Sequence, residues 1–220
     1  MAITPKRINK ENEILDAAEG VFQELGFNNA RMEQVGLKAG VSKATVYFYF
    51  ESKENLYMAI VFRALTMLNN LLYESIHQHQ QKPGLASVLA LMNTYISFSE
   101  KYPLYIDTLL DYLALARQAG EGPEFSKLTD AIKDSLYFKK IQHIHNIPVT
   151  LVVQELNRGM GDGSVNKHEK PEILYLTAWA LVLGYLKLTT TGGKRKSIHT
   201  VDIQEWKEYL IKMLQKLLTL

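Results

Sequence analysis

Ala39-Gly40-Val41-Ser42-Lys43-Ala44-Thr45-Val46-Tyr47-Phe48-Tyr49-Phe50 carries the punctuation of two short helices. Gly40 stands where the first must end, because glycine takes the left-handed C′ conformation without strain. Ser42 follows as a strong N-cap for the second. The spacing predicts helix, tight turn, capped helix. The second helix is expected from about Lys43 to Tyr49. Val46 and Phe50, four apart, point to one side with Val35 and Val41 and supply a small core.

The other sides of that helix carry the residues with chemistry to offer. Lys43, Ala44, Thr45, Tyr47, Phe48 and Tyr49 are of the types that meet duplex DNA when a recognition helix lies in the major groove. Small Ala44 lets the backbone approach base edges, and an alanine, a threonine methyl or a phenyl ring packs on a thymine methyl. Tyrosine hydroxyls and lysines reach phosphate and set register without reading bases. Ser52 is expected to cap the next helix with Lys53 in its first turn, opposed to the helix dipole. A phosphate bound there would explain that cation. Upstream, Arg31 offers a guanidinium to phosphate or base edge, and Asn29 is the expected N-cap of the first short helix.

Working outward, Gly and Pro cut the chain at Gly26, Pro83-Gly84, Pro103, Gly120 to Pro123, Pro148, Gly159 to Gly163, Pro171 and Gly192-Gly193. Between cuts the apolar residues recur at helical spacing, as in Ile14, Ala17, Ala18, Val21, Phe22 and Leu25. The chain is expected to be all-α. From Ser52 to Gln81 there is no Gly or Pro, so one helix can run unbroken. This predicts a helix-turn-helix domain over residues 1–52, joined by a long helix to a larger helical domain over residues 53–220.

Composition narrows the function classes. The 220 residues are 47% hydrophobic and 22% charged, with net charge +2 and no cysteine. Thiol nucleophiles, disulfides and cysteine-ligated metals are excluded. Residues 1–63 carry as many acids as bases, so bulk charge alone does not point to nucleic acid; the local placement of Arg31, Lys38, Lys43 and Lys53 does. His143 and His145, two apart on a helix, cannot share one ion, and no metal site is expected. Phosphate loops and nucleophile elbows are missing too, so no enzyme and no cofactor is expected. The apolar run from Ile173 to Leu186 stops at Lys187, short of the roughly 18 apolar residues of a membrane span. With no signal-like start, the expectation is a cytoplasmic protein that does not enter a membrane.

The stretches Ile14-Leu15-Asp16-Ala17-Ala18, Phe22, Gly26-Phe27, Ala39 to Phe50 and Ser52-Lys53-Glu54-Asn55-Leu56 together resemble the DNA-binding domain of the tetracycline-repressor (TetR) family. The resemblance covers residues 14–56. It departs at Ala30-Arg31, where the family commonly has Thr or Ser, and at Gly36, where it has Ala. It implies a bacterial homodimeric transcriptional regulator, a repressor released from a near-palindromic operator by a small molecule. DNA contacts would then fall on Arg31, Ser42, Lys43, Ala44, Thr45, Tyr47, Phe48, Tyr49 and Lys53.

Two further expectations concern the body. Tyr95, Phe98, Tyr102, Tyr105, Tyr112, Phe125, Tyr137 and Phe138 are material for a mainly apolar cavity that takes an apolar or aromatic effector. The helix from Pro171 to about Thr190 is apolar nearly all round and needs cover on more than one face. With the last helix it offers a four-helix dimer interface through Leu174, Ala178, Trp179, Leu181, Tyr185, Trp206, Leu210, Met213 and Leu217. An architectural or division-linked DNA-binding protein of the same fold, without an effector, is the alternative.

Overall fold

The computed structural model describes residues 5–118, 130–191 and 201–219. Every regular element among them is an α-helix: α1 (Pro5–Asn29), α2 (Met32–Lys38), α3 (Lys43–Phe50), α4 (Lys53–His79), α5 (Gly84–Lys101), α6 (Pro103–Gln118), α7 (Asp130–Lys133), α8 (Leu136–Ile144), α9 (Ile147–Asp162), α10 (Pro171–Thr191) and α11 (Ile203–Thr219). The chain gathers into two compact units, Met1–Thr66 with Leu104–His145, and Met67–Pro103 with Asn146–Leu220. This partition cuts across a division at residues 52 and 53. The reason is local to the first unit: Leu56, Ile60 and Val61 of α4 are fully buried there, as are Ile106 of α6 and Ile141 of α8.

In the first unit α1 buries Ile14, Leu15, Ala17, Ala18, Val21 and Phe22. Gly26 then breaks its geometry with φ 72°. Arg31, not Asn29, takes the N-cap position of α2: the Gln34 side chain accepts the Arg31 N–H at 2.8 Å. Asn29 instead donates back to the Leu25 carbonyl at 3.1 Å, closing the end of α1. Gly40 has φ 65°, as the turn requires. Gly36 is needed for a different reason. The Val41 N–H bonds to its carbonyl at 2.9 Å, and a Cβ on Gly36 would stand 2.9 Å from the Val41 carbonyl oxygen.

The helix-turn-helix is tied into its unit by charges and hydroxyls. Arg63 of α4 donates to Asp16 at 2.5 Å and Glu19 at 2.8 Å, both on α1. Tyr105 of α6 donates to the same Glu19 at 2.8 Å. Ser135 caps α8 by accepting from the Phe138 N–H, and its hydroxyl reaches the Asn55 side-chain oxygen at 2.6 Å. Both Ser135 and Asn55 are buried.

In the second unit α5 and α9 cross with almost no space between their backbones. A Cβ on Gly84 would lie 2.2 Å from the Gly159 nitrogen. Gly159 therefore sits inside α9 as a contact point; the helix runs on to Asp162 and ends at Gly163, φ 80°. Pro148 lies in the first turn of α9, where its missing N–H costs nothing. Helices α10 and α11 pack on α5 and α9. By length and composition α4 and α10 could each cross a membrane, but 61% of that stretch of α4 is buried, against 28% for α10. Helix α10 is the one that keeps an apolar outer face.

Candidate nucleic-acid interface

Helix α3 is held from beneath and bare above. Val46 and Phe50 are fully buried. The Ser42 oxygen accepts the Thr45 N–H at 3.0 Å and shares a hydrogen bond with the Thr45 hydroxyl at 2.8 Å, so both side chains secure the first turn. Lys43 and Ala44 are exposed, and Thr45 and Tyr49 are half-buried. Tyr47 keeps 41% of its surface in solvent and Phe48 keeps 70%. A phenylalanine so exposed on a helix this short has no role in the unit's own core. It is available to a partner.

Charge on this face is held loosely. Lys43 pairs with Glu33 of α2 at 2.9 Å, with both side chains more than half exposed. The pair holds the Glu33 carboxyl below its ordinary range and raises the Lys43 ammonium. Exposed pairs of this kind contribute little, so Lys43 can exchange its partner for a phosphate. Arg31 is exposed at the head of α2. Two residues on this side escape sequence reasoning. Leu37, 82% exposed, is apolar and points outward from α2. Arg7 of α1 lies over the rings of Phe48 and Tyr49. Neither has a local signal, since one breaks the apolar pattern and the other is far away in sequence.

Lys53 is occupied differently from the expectation of a phosphate ligand. Its ammonium donates to the carbonyls of Phe27 at 2.9 Å, Ala30 at 3.2 Å and Asn28 at 3.4 Å, and sits 4.5 Å from the Phe27 ring centroid. An ammonium has three N–H donors, and all three have acceptors here. These carbonyls lie in the last turn of α1 and just past its end, where no donor within the helix reaches them, and Lys53 satisfies them. Lys53→Met is expected to cost about 2 kcal/mol of stability. It should leave the salt dependence of DNA binding unchanged. A denaturant titration and a salt series check both; a reduced salt slope with unchanged stability would place the ammonium on DNA instead.

The geometry agrees with what the chain is similar to. Residues 14–60 match the family model of bacterial regulatory proteins, tetR family. Over those residues the chain is similar to the tetR family. Over 52 residues it is 46% identical to the transcriptional regulator RutR of Escherichia coli K12, a match covering 24% of each chain. The similarity therefore spans about a quarter of that relative's length. It is 23% identical to the transcriptional repressor AcnR of Corynebacterium efficiens over 203 residues, 91% of this chain and 93% of the relative. Its fold matches the fatty acid degradation regulator FadR from Bacillus halodurans with TM-score 0.67 at 15% identity, covering 98% and 97% of the two chains.

In this chain the eight aromatics expected around an effector fall into separate sets. Tyr95, Phe98 and Tyr102 belong to the second unit, where Tyr95 meets Trp179 edge-on at 4.7 Å and Phe98 lies 5.3 Å from Tyr102. Tyr105, Tyr112, Tyr137 and Phe138 belong to the first, where Tyr112 sits 6.0 Å from Phe138 and 6.1 Å from His145. Burial pushes the Tyr112 hydroxyl up to about 12. Tyr105 spends its hydroxyl on Glu19, and Tyr137 stacks on Phe50. Phe125 lies outside the described residues.

The residues expected at a dimer interface also divide. Leu174, Ala178, Tyr185 and Leu210 are buried inside the second unit. Trp179 packs on Tyr95 and Tyr175, and Trp206 on Tyr185. An all-round apolar helix buries one face at home, and these residues are that face. Leu181 and Met213 remain exposed, and Leu217 is half-buried. The outer face left over carries Ile173, Leu176, Leu181 and Leu188 on α10 with Tyr209 on α11. Gly184 on α10 has open space where a Cβ would stand.

Proposed function

We propose that this chain is a sequence-specific DNA-binding transcriptional regulator that acts as a homodimer. Helix α3 enters the major groove with Ala44, Thr45 and Phe48 at base edges and Lys43, Tyr47 and Tyr49 on phosphate. One observation carries this: a capped eight-residue helix stands on two buried side chains and exposes a small residue, two large aromatics and a lysine. The similarity to a transcriptional repressor over nearly the whole chain favours repression over activation.

The dimer rests on the exposed apolar face of α10 and α11. Leu176 and Leu181 stand beside exposed Thr177, Ala180 and Gly184, whose small size lets a second helix approach closely. A two-fold pairing of such faces is the commonest closed assembly, and it mirrors the symmetry of a palindromic site. The effector is a small, mainly apolar molecule; the buried rings of Tyr112 and Phe138, with half-buried His145 beside Tyr112, are one place with the right lining. An effector that favours the DNA-incompetent state by about 1–3 kcal/mol gives a 5–150-fold release.

Selection of duplexes from a random library by the full-length chain tests the reading. It should converge on an inverted repeat whose half-sites are about 34–36 Å apart. The free protein should sediment at twice the 25.1 kDa of one chain. A library that never converges overturns the DNA-binding reading, and a 25.1 kDa particle overturns the dimer. A complex that no small apolar molecule dissociates would favour the architectural alternative.

A further inference from the structure

We propose that Arg7 is a further contact to the phosphodiester backbone, and that Tyr137 keeps it available by holding Glu11. The proposal rests on the DNA-binding reading above. The Arg7 guanidinium carbon lies 5.8 Å from the Phe48 ring centroid and 6.0 Å from that of Tyr49. Those two rings, 5.4 Å apart and edge to face, form the C-terminal half of the exposed face of α3. An arginine laid on a ring keeps its N–H edges for a second partner, and the fork of donors fits a phosphate. Arg7 therefore brings a positive charge beside a recognition helix whose own cation, Lys43, lies at the opposite end.

Arg7 has an obvious competitor for its charge. Glu11 is four residues further along α1, the spacing at which opposite charges meet on a helix. Among the described residues, no ion pair joins them. The Glu11 carboxylate accepts a hydrogen bond from the Tyr137 hydroxyl instead. Tyr137 is itself fixed: its ring stacks on Phe50 at 6.2 Å, lies 6.0 Å from Phe62, and carries the Lys140 ammonium at 4.8 Å. The first turn of α8 thus touches α1, α3 and α4 through one side chain. While it does, Glu11 is turned to Tyr137 and Arg7 to the rings of α3. A shift of α8 that breaks the hydroxyl bond frees Glu11 to draw Arg7 away from the DNA face. Tyr137 is a positioning residue in this scheme, and Arg7 is the contact.

The test uses the full-length chain, a fluorescent duplex selected by the wild type, and anisotropy titrations from 50 to 200 mM salt. Arg7→Ala should weaken binding about tenfold and lower the salt slope by about 0.9 for each chain bound. Tyr137→Phe, which keeps the ring stack and removes the hydroxyl, should weaken binding about fivefold with the same loss of slope. Adding Glu11→Gln to Tyr137→Phe should restore both, because a neutral amide does not draw the guanidinium. An unchanged slope in Arg7→Ala overturns the contact. Wild-type binding by Tyr137→Phe, or weakening that Glu11→Gln does not rescue, overturns the positioning role. If the wild type selects no duplex, the DNA-binding reading itself has failed, and the proposal with it.

Discussion

Gly84→Ala should destabilise the chain by about 3 kcal/mol or more and lower its melting temperature by roughly 10 °C. The added Cβ would lie 2.2 Å from the Gly159 nitrogen, 2.4 Å from its Cα and 2.8 Å from the Glu155 carbonyl oxygen. All three are backbone atoms of one helix, so no rotamer relieves the clash and α9 must move away from α5. The reciprocal change is the control. A Cβ on Gly159 meets a Val165 methyl at 2.4 Å and backbone only at 3.2 Å. A valine side chain can turn aside, so Gly159→Ala should be the milder of the two. Calorimetry on both variants decides, and equal melting temperatures would contradict this packing.

Ala44→Glu should weaken operator binding by about a thousandfold while leaving the fold intact. Ala44 is exposed in the first turn of α3. In the groove, a carboxylate there replaces a methyl group against bases and lies among phosphates. Each lost base contact costs about 1–3 kcal/mol, and a dimer loses it twice. In the free protein the same carboxylate faces the helix N-terminus, where negative charge stabilises by about 0.3–1 kcal/mol. Stability and binding should therefore move in opposite directions. Parallel melting curves and anisotropy titrations check this; loss of both together would mean that the variant had simply unfolded.

The local features of the fold were legible because they are written in neighbouring residues. Gly40 and Ser42 end one helix and begin the next, and both behave as their chemistry requires. The absence of Gly and Pro after Ser52 allows the long α4. Failures came where a residue's partner is distant. Asn29 looked like a cap, but Arg31 takes that position and the Asn29 side chain donates back to Leu25. For Lys53, read in sequence as a phosphate ligand, the three carbonyls at the end of α1 that its ammonium meets were equally out of sight. Gly159 looked like the end of a helix, whereas its small size serves a crossing with Gly84.

The body was less readable for a related reason. An α10 that is apolar all round has no preferred side in its sequence, so its inner stripe of Leu174, Ala178 and Tyr185 could not be told from its outer one. Aromatic content likewise does not say which rings share a neighbourhood. Tyr137 and Tyr95 read alike in sequence. One stacks on the last residue of α3, and the other meets a tryptophan of α10 edge-on.

Helix α3 should lie in the major groove in two copies, and methylation interference on a selected duplex tests that most directly. Methyl groups on guanine N7 project into the major groove, and those on adenine N3 into the minor. Guanine methylation should block binding at two clusters about 10–10.5 base pairs apart, or a multiple of that spacing. Interference confined to adenines, or a single cluster of guanines, would contradict it.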